Sequence, residues 1–563
     1  MTRNGQSQAK PEQASLSPDL EAVLAENASK FDAKARPIFQ KFAELLFARL
    51  GAARDNWLSA KSLAAIGVDT FHLLQNHLPG RPTVSVGRTA LPVSQTGSAE
   101  TLREVTVLVI INNDMPFLVS SVMGEVQARG LKTHLVLHPV HAARRDGNQI
   151  IELQQLDAMS SDNATSEWGA ESVIVVVMDA LDDSASRALA DALDDVLAKV
   201  AVAVRDWKPM KARLDAAITA LEQQTKTREN AGLIDETIAF CRWMRAGQFV
   251  FLGMREYRLD GEPETGSLRV IEGSGLGLLA DPNVHVLRRG HELVSLNDEV
   301  RRFYLKPSPI IITKSNARSV VHRRSHMDYV GLKTYTQEGR LTGELRIVGL
   351  FTAAAYTEPA LEIPFLRLKV ERVFKIAGVK HATHEGRMLH NILDTFPRDE
   401  LIQIGVHQLA SWVPMLLQLE FDPRIRVFAR RDRFDRFVSV LVFVPRDRFS
   451  TEVREDIGNM LAEVYRGRMV THQPYFTAGP LVRVHFIIGR YEGTTPNIDD
   501  AELERRVAEI TQTWEDRLEN QLAAVPGAGA RFSRAFPASY AENFPPERAL
   551  EDIELIERLA GDG

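Results

Sequence analysis

The sequence predicts a multidomain α+β protein, and three observations lead to that fold class. The chain has 563 residues, which corresponds to three or four domains at about 100 to 200 residues each. Hydrophobic residues make up 44% of it and charged residues 25%, as in an ordinary globular protein. Short apolar runs of strand length alternate with segments in which apolar residues recur at helical spacing. We therefore expect several α/β units connected by helices.

The first 90 residues are predicted to contain a tail and a helical region. Residues 1–17 are rich in Gln, Ser, Lys and Pro, a composition typical of a disordered tail. Residues 18–90 are predicted to be a helical lead-in, because Ile38, Phe42 and Leu45 recur at helical spacing before the breaker Pro79-Gly80.

Residues 91–205 carry the clearest pattern of the N-terminal third. Residues 105–111 form a continuous apolar run, and Asp114 is the predicted N-cap of a following helix with Pro116 in its first turn. Three more elements are predicted after it: strands at 133–137 and 172–178, and a helix from about residue 182. Strand, helix, strand, strand, helix is the order of a ferredoxin-like sandwich, the architecture of the ACT domains that sense amino acids.

Two segments with different predicted secondary structure follow in the middle of the chain. Residues 206–247 are charged and mostly helical, which predicts a helical connector. Residues 248–360 contain short strands separated by turns that carry Gly, Asp and Pro. The second segment therefore predicts a central antiparallel β domain.

A glycine motif within this β domain resembles a dinucleotide-binding loop. Gly275, Gly277 and Ala280 spell G-x-G-x-x-A directly after a short predicted strand. Such a loop must open a helix whose N-terminus holds the pyrophosphate. Pro282 disfavours helical geometry at Asp281, so that helix would be broken almost at its start. A turn is the favoured interpretation, and no cofactor-binding residue is predicted in this chain.

The last third repeats the α/β pattern. Residues 361–420 are predicted to be a helical segment, and residues 421–525 a second ACT-like sandwich that contains a hairpin, a helix and another pair of strands. One closing helix is expected to place five apolar residues on one face: Leu503, Val507, Ile510, Trp514 and Leu518. Residues 526–563 form a C-terminal segment.

Composition excludes several classes of function. The formal net charge of −6 gives no global field that would attract nucleic acid or an anionic membrane. A single cysteine, Cys241, excludes an intramolecular disulfide framework and cysteine-rich zinc sites. The N-terminus lacks the apolar region of a secretory signal, and the longest apolar runs, such as 173–178, are too short to span a membrane. We therefore expect a cytoplasmic protein with no nucleic-acid or membrane partner.

A series of collinear blocks carries a resemblance to a known family. They are NNDMPFLVSSV (112–122), FLGMREYRL (251–259), GSGLGLL (273–279), IITKSNARSVVHR (311–323), MDYVGLK (327–333), LFTAAAY (350–356), FPRDEL (396–401), RRDRFDRFVSVLVFVPRDRF (430–449) and FPASYAENFPPERALEDI (536–553). Together they resemble the N-terminal part of the large NAD-specific glutamate dehydrogenases of bacteria. The family tends to be more acidic where this chain has Asn112, Asn113 and Ser120.

This resemblance implies a much longer polypeptide. Its N-terminal half would contain ACT-like and PAS-like regulatory modules joined by helical connectors, with the central β domain as the PAS-like module. The dehydrogenase domains that use NAD would lie C-terminal to residues 526–563. The family's catalytic lysine lies in a Lys-Gly-Gly-type loop, and the chain contains no Gly-Gly dipeptide. No catalytic residue is therefore predicted here, and Gly563 is expected to be a truncation point or the end of a split subunit.

The best candidate for an effector site is Asn112-Asn113-Asp114. At the start of a helix, free backbone N–H groups suit the carboxylate of an amino acid, and the amide side chains suit its ammonium group. Two alternatives stay open, since Asp114 would also serve as a simple helix cap, and ACT-type modules often pair through their sheets or helices.

Two further clusters are weighed as sites. His381, His384 and His390 do not have the spacing of a ligand set, so no metal site is predicted. A second cluster forms a polar string that is interpreted as a solvated strand or an interdomain contact rather than an anion site: Lys314, Arg318, His322 and Arg323.

The sequence thus leads to three hypotheses. The first is the regulatory and oligomerisation region of an NAD-dependent glutamate dehydrogenase, inactive alone, which binds an amino-acid effector and acts on a catalytic region in cis or in trans. The second is a stand-alone amino-acid-sensing or interaction protein derived from that region. The third, a complete dehydrogenase that uses the Gly275 loop, requires the helix that Pro282 opposes.

Overall fold

The computed structural model describes most of the chain. It covers residues 16–48, 50, 58–93, 101–156, 167–224, 231–262, 266–284, 288–289, 292–293, 306–432, 435–477, 479–490, 493–523, 532 and 535–561. The predicted tail, residues 1–17, lies almost wholly outside these ranges. The described residues form a mixed α/β structure with several antiparallel sheets and many helices.

Three helices open the structure: α1 (Pro18–Ala28), α2 (Ala35–Phe47) and α3 (Ala60–Gln75). Phe39, Phe42 and Phe71 pack together between them and are fully buried. The helices end earlier than predicted, because residues 83–93 form a strand instead. Alternation of Val84 and Val86 with polar residues favours this strand, since a strand turns successive side chains to opposite faces.

The first sheet contains six strands among the described residues. They are β1 (Thr83–Val93), β2 (Thr101–Asn113), β3 (Thr133–Leu137), β4 (Val140–Asp146), β5 (Gln149–Gln155) and β6 (Trp168–Asp179). Their order is β1-β2-β6-β4-β5, with β3 also paired to β6, and all pairs are antiparallel. Helices α1 to α3 cover one face of this sheet.

Two helices cover the other face: α4 (Leu118–Ala128) and α5 (Asp183–Arg205). The predicted helix from about residue 182 is confirmed, because Asp182 caps α5 by accepting a hydrogen bond from the N–H of Ala185 at 2.7 Å. Leu189, Leu193 and Val200 turn toward the sheet and are fully buried. Both faces of the sheet are therefore covered, which explains the continuous apolar run in β6.

A connector of two helices, α6 (Trp207–Gln223) and α7 (Ala231–Trp243), leads to the central sheet. The sheet contains β7 (Phe249–Asp260), β8 (Ser267–Val270), β9 (Leu276–Gly277), β12 (Ile310–Arg318), β13 (His326–Tyr335) and β14 (Leu341–Phe351), beside a hairpin of β10 (Arg288–Arg289) and β11 (Glu292–Leu293). The strand order is β12-β13-β14-β7-β8, with β9 on β7, and every pair is antiparallel. The predicted antiparallel character of this region is confirmed.

Five helices follow: α8 (Ala353–Thr357), α9 (Leu366–Ala377), α10 (His384–Thr395), α11 (Arg398–Gln403) and α12 (Val406–Gln418). The last four of these helices form one core with residues of the last sheet, such as Phe428 and Leu441, whereas Ala355 of α8 packs in the core of the central sheet. The helical segment is thus packed against that sheet, and α11 lies between the last sheet and the central one.

The last sheet has the strand order β15-β16-β18-β17. Its strands are β15 (Arg426–Arg431), β16 (Phe437–Pro445), β17 (Arg468–Phe476) and β18 (Leu481–Gly489). Helices α13 (Thr451–Val464) and α14 (Asp500–Ile510) cover the face opposite the helical segment. Three further helices follow: α15 (Trp514–Ala523), α16 (Ala538–Asn543) and α17 (Pro546–Gly561).

The prediction of a single closing helix is wrong, because α14 and α15 are separate helices. Thr513 starts α15 with a reciprocal cap. Its hydroxyl accepts from the N–H of Asp516 at 3.1 Å, and the Asp516 carboxylate accepts from the N–H of Thr513 at 3.0 Å. Leu503 and Val507 pack in one core and Leu518 in another. Among the described helices, none is long and apolar enough to cross a bilayer.

Candidate functional site

The predicted effector residues Asn112, Asn113 and Asp114 do not lie at a helix start. Strand β2 runs to Asn113, and α4 begins only at Leu118. The N–H of Asp114 donates to the carbonyl of Ala170 at 2.8 Å and so extends the pairing with β6. The prediction that Asp114 caps the helix is therefore wrong.

Two neighbours explain the late start of α4. Pro116 disfavours helical geometry in the residue before it, and Phe117, the residue before the helix, has a φ of 75°. The side chain of Asn113 accepts instead from the N–H of Gly80 at 3.3 Å, and that of Asn112 from the N–H of Asn113 at 3.0 Å. Effector binding by Asn112, Asn113 and Asp114 stays a prediction, without the helix dipole as its support.

The N-terminal end of α4 contacts the central domain. The N–H of His322 donates to the hydroxyl of Ser121 at 2.9 Å, and the His322 ring lies 5.0 Å from the ring of Phe117. Arg324 forms an ion pair with Glu125 on the same helix. This helix end is thus an interdomain contact.

The glycine motif forms a short strand and a turn, as predicted. Gly277 lies in β9, and its N–H donates to the Asp206 carboxylate at 2.7 Å. The N–H groups of Leu278 and Ala280 donate to backbone carbonyls at 2.8 and 3.0 Å. A phosphate cradle needs free N–H groups in this position. In this loop, oxygen atoms of the protein accept hydrogen bonds from these N–H groups.

We expect Gly277→Ala to lower the free energy of unfolding by about 2–5 kcal/mol. Its φ of 59° is strained for alanine, and an added Cβ would lie 2.3 Å from the carbonyl oxygen of Leu252. Gly273→Ala is the matched control, since its φ is 72° and no atom lies within 4 Å of the added Cβ. The control should lose only about 1–2 kcal/mol. Chemical denaturation of both variants measures the difference, and equal losses would show that the close contact at Gly277 has no effect.

The histidine cluster and the cysteine show no catalytic arrangement. His381 Nδ1 and His390 Nε2 lie 2.8 Å apart, and His381 also contacts Glu371 at 3.2 Å, whereas His384 is in neither contact. No group of three His, Cys, Asp or Glu suited to a metal occurs in the part of the chain that the structure describes. Burial raises the pKa of the Cys241 thiol to about 12, which disfavours the thiolate.

The four residues of the polar string lie in two different places. Arg323 donates to the carbonyl of Phe351 at 2.7 Å, and His322 contacts α4 as described. Lys314 and Arg318 line a cavity of about 430 Å³. The interdomain alternative is confirmed for Lys314, because it reaches Asp399 on α11.

This cavity lies where three parts of the chain meet. Its walls come from β12 and the start of β13, from α11, and from β16, β17 and β18. On β18, His485 and Ile487 face the cavity while Val484 and Phe486 face the core under α13 and α14. The alternation of strand side chains thus gives the last sheet one polar face at this end.

One wall is held by a largely buried lysine, 13% exposed, that lies between a buried and a partly exposed carboxylate. Lys314 Nζ lies 2.6 Å from Asp328 and 3.0 Å from Asp399, and the Tyr356 hydroxyl donates to Asp399 at 2.8 Å. Burial would lower the pKa of Lys314, but the two carboxylates raise it above its ordinary value. Burial raises the pKa of Asp328 to about 6. Burial also opposes ionisation of Asp399, but Lys314 outweighs it and the pKa of Asp399 is lowered.

Two more buried ion pairs adjoin this group. Glu400 receives two hydrogen bonds from Arg430, at 2.5 and 2.8 Å, and Asp432 receives two from Arg436, at 2.7 and 3.0 Å. Arg436 also donates to the carbonyl of Lys314 and to Thr313, so it joins the last sheet to β12. Both pairs are less than 6% exposed, which fixes the cavity walls.

Two histidines in the walls are held neutral. Burial lowers the pKa of His326 to about 4, with Arg318 adding to the effect. Burial also lowers the pKa of His485, whose Nε2 lies 2.8 Å from the Ser439 hydroxyl. At neutral pH both rings therefore act as hydrogen-bonding groups rather than as cations.

Four family models match successive regions of this chain. They describe the ACT1 domain of glutamate dehydrogenase at residues 42–193, its helical motif 1 at 363–421, its ACT2 domain at 426–515 and its helical motif 2 at 526–559. The NAD-specific glutamate dehydrogenase of Halomonas elongata is 33% identical over 466 residues, which are 81% of this chain.

This chain belongs to the family of large NAD-specific glutamate dehydrogenases.

Two other glutamate dehydrogenases are also similar in sequence to most of this chain. The NAD-specific enzyme of Pseudomonas aeruginosa is 30% identical over 550 residues, 96% of this chain, and that of Mycobacterium tuberculosis is 24% identical over 530 residues, 91% of this chain. The matched parts are 28%, 33% and 30% of the three relatives. The chain thus spans a third or less of the glutamate dehydrogenases that it matches.

The matched regions locate the cavity within the glutamate dehydrogenase framework. Its helical wall, α11, lies in helical motif 1, and β16 to β18 lie in the ACT2 domain. Sequence reasoning considered Lys314 and Arg318 but preferred a solvated strand or an interdomain contact to an anion site, and it missed Asp399, Arg468 and Arg490. Arg468 and Arg490 give no local signal in the sequence, because charged residues are common on surface strands and loops.

Proposed function

We propose that this chain is the regulatory and oligomerisation region of an NAD-dependent glutamate dehydrogenase. The whole enzyme would convert L-glutamate and NAD to 2-oxoglutarate and ammonium, with NAD held by a catalytic region outside this chain. The NAD-specific glutamate dehydrogenases of Halomonas elongata and Pseudomonas aeruginosa support this activity, and their greater length supports a catalytic region elsewhere in the polypeptide or in a partner. The two matched ACT domains support a regulatory role.

The cavity is the observation that carries the regulatory proposal. A ligand there would contact the central sheet, α11 and the last sheet at once. Binding affinity would then depend on how these parts are arranged, which is the requirement for coupling to a distant site. An amino-acid effector is the partner that we propose, in a homo-oligomeric cytoplasmic enzyme.

We also infer finer assignments for the domains. Residues 91–205 and 421–525 are assigned as ferredoxin-like ACT domains, which the packing of two helices on one face of each sheet supports. The edge strand of the first sheet, β1 (Thr83–Val93), lies mostly before residue 91 and pairs with β2 of the first of these domains. Residues 248–360 are assigned as the PAS-like module, supported by an antiparallel sheet packed against the connector helices.

The purified 563-residue chain is expected to show no glutamate-dependent reduction of NAD. Absorbance at the NADH band, followed with glutamate and NAD at saturating concentrations, measures this. The longer enzyme of a relative serves as the positive control. Clear turnover by the chain alone would overturn the assignment of catalysis to another region.

A stand-alone sensor derived from this region is the alternative. The 62.9 kDa mass of the chain separates the two cases on a denaturing gel of the native cells, probed with an antibody against residues 100–550. A band far above that mass supports the regulatory region of a larger enzyme. A band at that mass supports the separate sensor or a split subunit.

A further inference from the structure

The cavity between β12, α11 and the last sheet has an excess of cationic side chains. Among the residues that line it, six are cationic: Lys314, Arg318, Arg324, Arg436, Arg468 and Arg490. Two are acidic, Asp399 and Glu400. Charges on both sides are paired: Glu400 with Arg430, Asp328 and Asp399 with Lys314, Asp432 with Arg436, and Glu125 with Arg324. When Arg430, Asp328, Asp432 and Glu125 are counted with the lining, there are seven cationic and five acidic groups. The lining therefore favours an anionic ligand.

Arg318 is positioned to bind such a ligand. Its guanidinium donates to the ring of His326 at 3.4 Å and to the carbonyl of Val470 at 3.3 Å. Both distances are longer than those of strong hydrogen bonds, and both acceptors are neutral. A carboxylate would offer shorter, charge-assisted bonds to the same donors. Arg318 can therefore exchange weak internal contacts for stronger ones to an anion.

A β-bulge brings further cationic groups to the same end of the cavity. The pairing of β17 with β18 shifts between Met469 and Thr471, so Val470 is the extra residue whose carbonyl reaches Arg318. Arg468 lies two residues earlier and pairs directly with Gly489, and Arg490 follows Gly489 in the chain. Arginines from β12, from β17 and from the residue after β18 thus line the cavity, and the Arg490 guanidinium also donates to the carbonyls of Tyr465 and Arg466.

The size of the cavity limits the ligand. A volume of about 430 Å³ lies near the lower end of the range of small-molecule sites, which is about 300–1,000 Å³. Neutral polar side chains complete the lining, among them Ser315, Gln403 and Gln473. Arginine forks match planar carboxylates by paired hydrogen bonds. We propose that this cavity binds a small dicarboxylate, the chemical class that includes the acidic amino acids, and this assignment rests on the proposed regulatory function for its biological consequence.

Calorimetric titration of the 563-residue chain with succinate and glutarate tests the proposal. Butyrate is the matched control ligand, because it has the chain length of succinate and one carboxylate. We expect saturable binding of a dicarboxylate and at least about tenfold weaker binding of butyrate, since one charge-assisted contact is lost. Absence of saturable binding at millimolar succinate and glutarate would overturn the proposal. Inorganic phosphate that binds as tightly as either would overturn the dicarboxylate assignment.

Variants of Arg318 and Arg468 test whether the dicarboxylate binds in this cavity. Arg318→Gln and Arg468→Gln should each weaken dicarboxylate binding about tenfold or more, and Arg318→Lys should lie between wild type and Arg318→Gln because it keeps the charge but not the fork. Arg372→Gln, at an exposed position on α9, should bind as wild type does. Circular dichroism confirms that each variant is folded. Unchanged binding in both glutamine variants would place the ligand elsewhere and refute the site.

The dicarboxylate site and the proposed regulatory function can fail independently of each other. Turnover of the complete enzyme, measured at saturating glutamate with and without the same dicarboxylate, tests regulation without competition at the substrate site. Binding at this cavity with no change in turnover would support the site and contradict the regulatory role. A change in turnover that survives Arg318→Gln would support regulation and contradict the site.

Discussion

Replacing Lys314 by methionine is expected to lower the free energy of unfolding by about 3–5 kcal/mol at pH 7.5. The substitution leaves two carboxylates, Asp328 and Asp399, without the charge that lies 2.6 and 3.0 Å from them. The Asp328 side chain is 4% exposed, so water cannot replace that charge. Chemical denaturation at equilibrium measures the loss, and a separate early transition would show that the contact between β12 and α11 opens first.

Two control variants distinguish charge from packing. Lys375→Met removes an exposed lysine on α9 and should change stability by less than about 0.5 kcal/mol. The triple variant Lys314→Met, Asp328→Asn, Asp399→Asn removes every charge of the group and should recover most of the loss. A triple variant as unstable as Lys314→Met would show that shape rather than charge explains the effect.

The effect of Lys314→Met should grow with pH. Burial raises the pKa of Asp328 to about 6, above its value in the unfolded chain, so the proton bound by the folded state stabilises it at low pH. That contribution is full below the unfolded pKa and is lost as the pH rises through about 6. Without Lys314 the ionised form is less favourable still. The difference between wild type and variant should therefore be smaller at pH 5 than at pH 7.5.

Local signals in the sequence predict much of the secondary structure. The helix α5 has both an apolar face and a side-chain cap at Asp182, and the two signals agree. The reciprocal cap of Thr513 and Asp516 is also a local signal, although the continuous apolar periodicity concealed it. Asp114 shows the opposite case, because sheet pairing with Ala170 prevailed over its capping propensity. Local patterns thus fail where tertiary contacts compete for the same backbone group.

The cavity could not be predicted from local patterns. Arg318 and the carbonyl that it reaches, at Val470, are 152 residues apart in the chain. Arg436 and its acceptor at Lys314 are 122 residues apart. Either arginine alone would be interpreted as a solvated surface residue. Only the packing of the central sheet, α11 and the last sheet brings them together, and no spacing rule within one element encodes that arrangement.

A large effect is also expected at Arg145, in the first sheet. Arg145 binds both oxygens of Glu171, at 2.7 and 2.9 Å, and donates to the carbonyls of Leu74 in the last turn of α3 and of His77 just after it. It therefore joins β4, β6 and the helical lead-in. Arg145→Met should lower the free energy of unfolding by about 3–5 kcal/mol at pH 7.5. Glu171 is 3% exposed, and the His141 ring, 3.8 Å from its carboxylate, is a weaker partner than the arginine that is lost.

The adjacent residue on β4 provides a matched control. Arg144 also pairs with a glutamate, Glu152 at 2.7 Å, but the two side chains are 36% and 41% exposed. Arg144→Met should therefore cost less than about 1 kcal/mol, as exposed ion pairs do. Equal losses in the two variants would show that burial does not set the strength of the Arg145 pair.

The pH dependence of Arg145→Met identifies Glu171 as the cause. In the wild type, burial opposes ionisation of Glu171, but Arg145 outweighs it and lowers the pKa to about 2. A lowered pKa stabilises the fold above the unfolded value, and this contribution is lost as the pH falls toward 2. Without Arg145, burial raises the pKa of Glu171 instead, so protonation relieves the variant in mild acid. Denaturation at pH 7.5 and pH 4.5 should therefore show a smaller difference between wild type and variant at the lower pH, and a constant difference would exclude Glu171 as its origin.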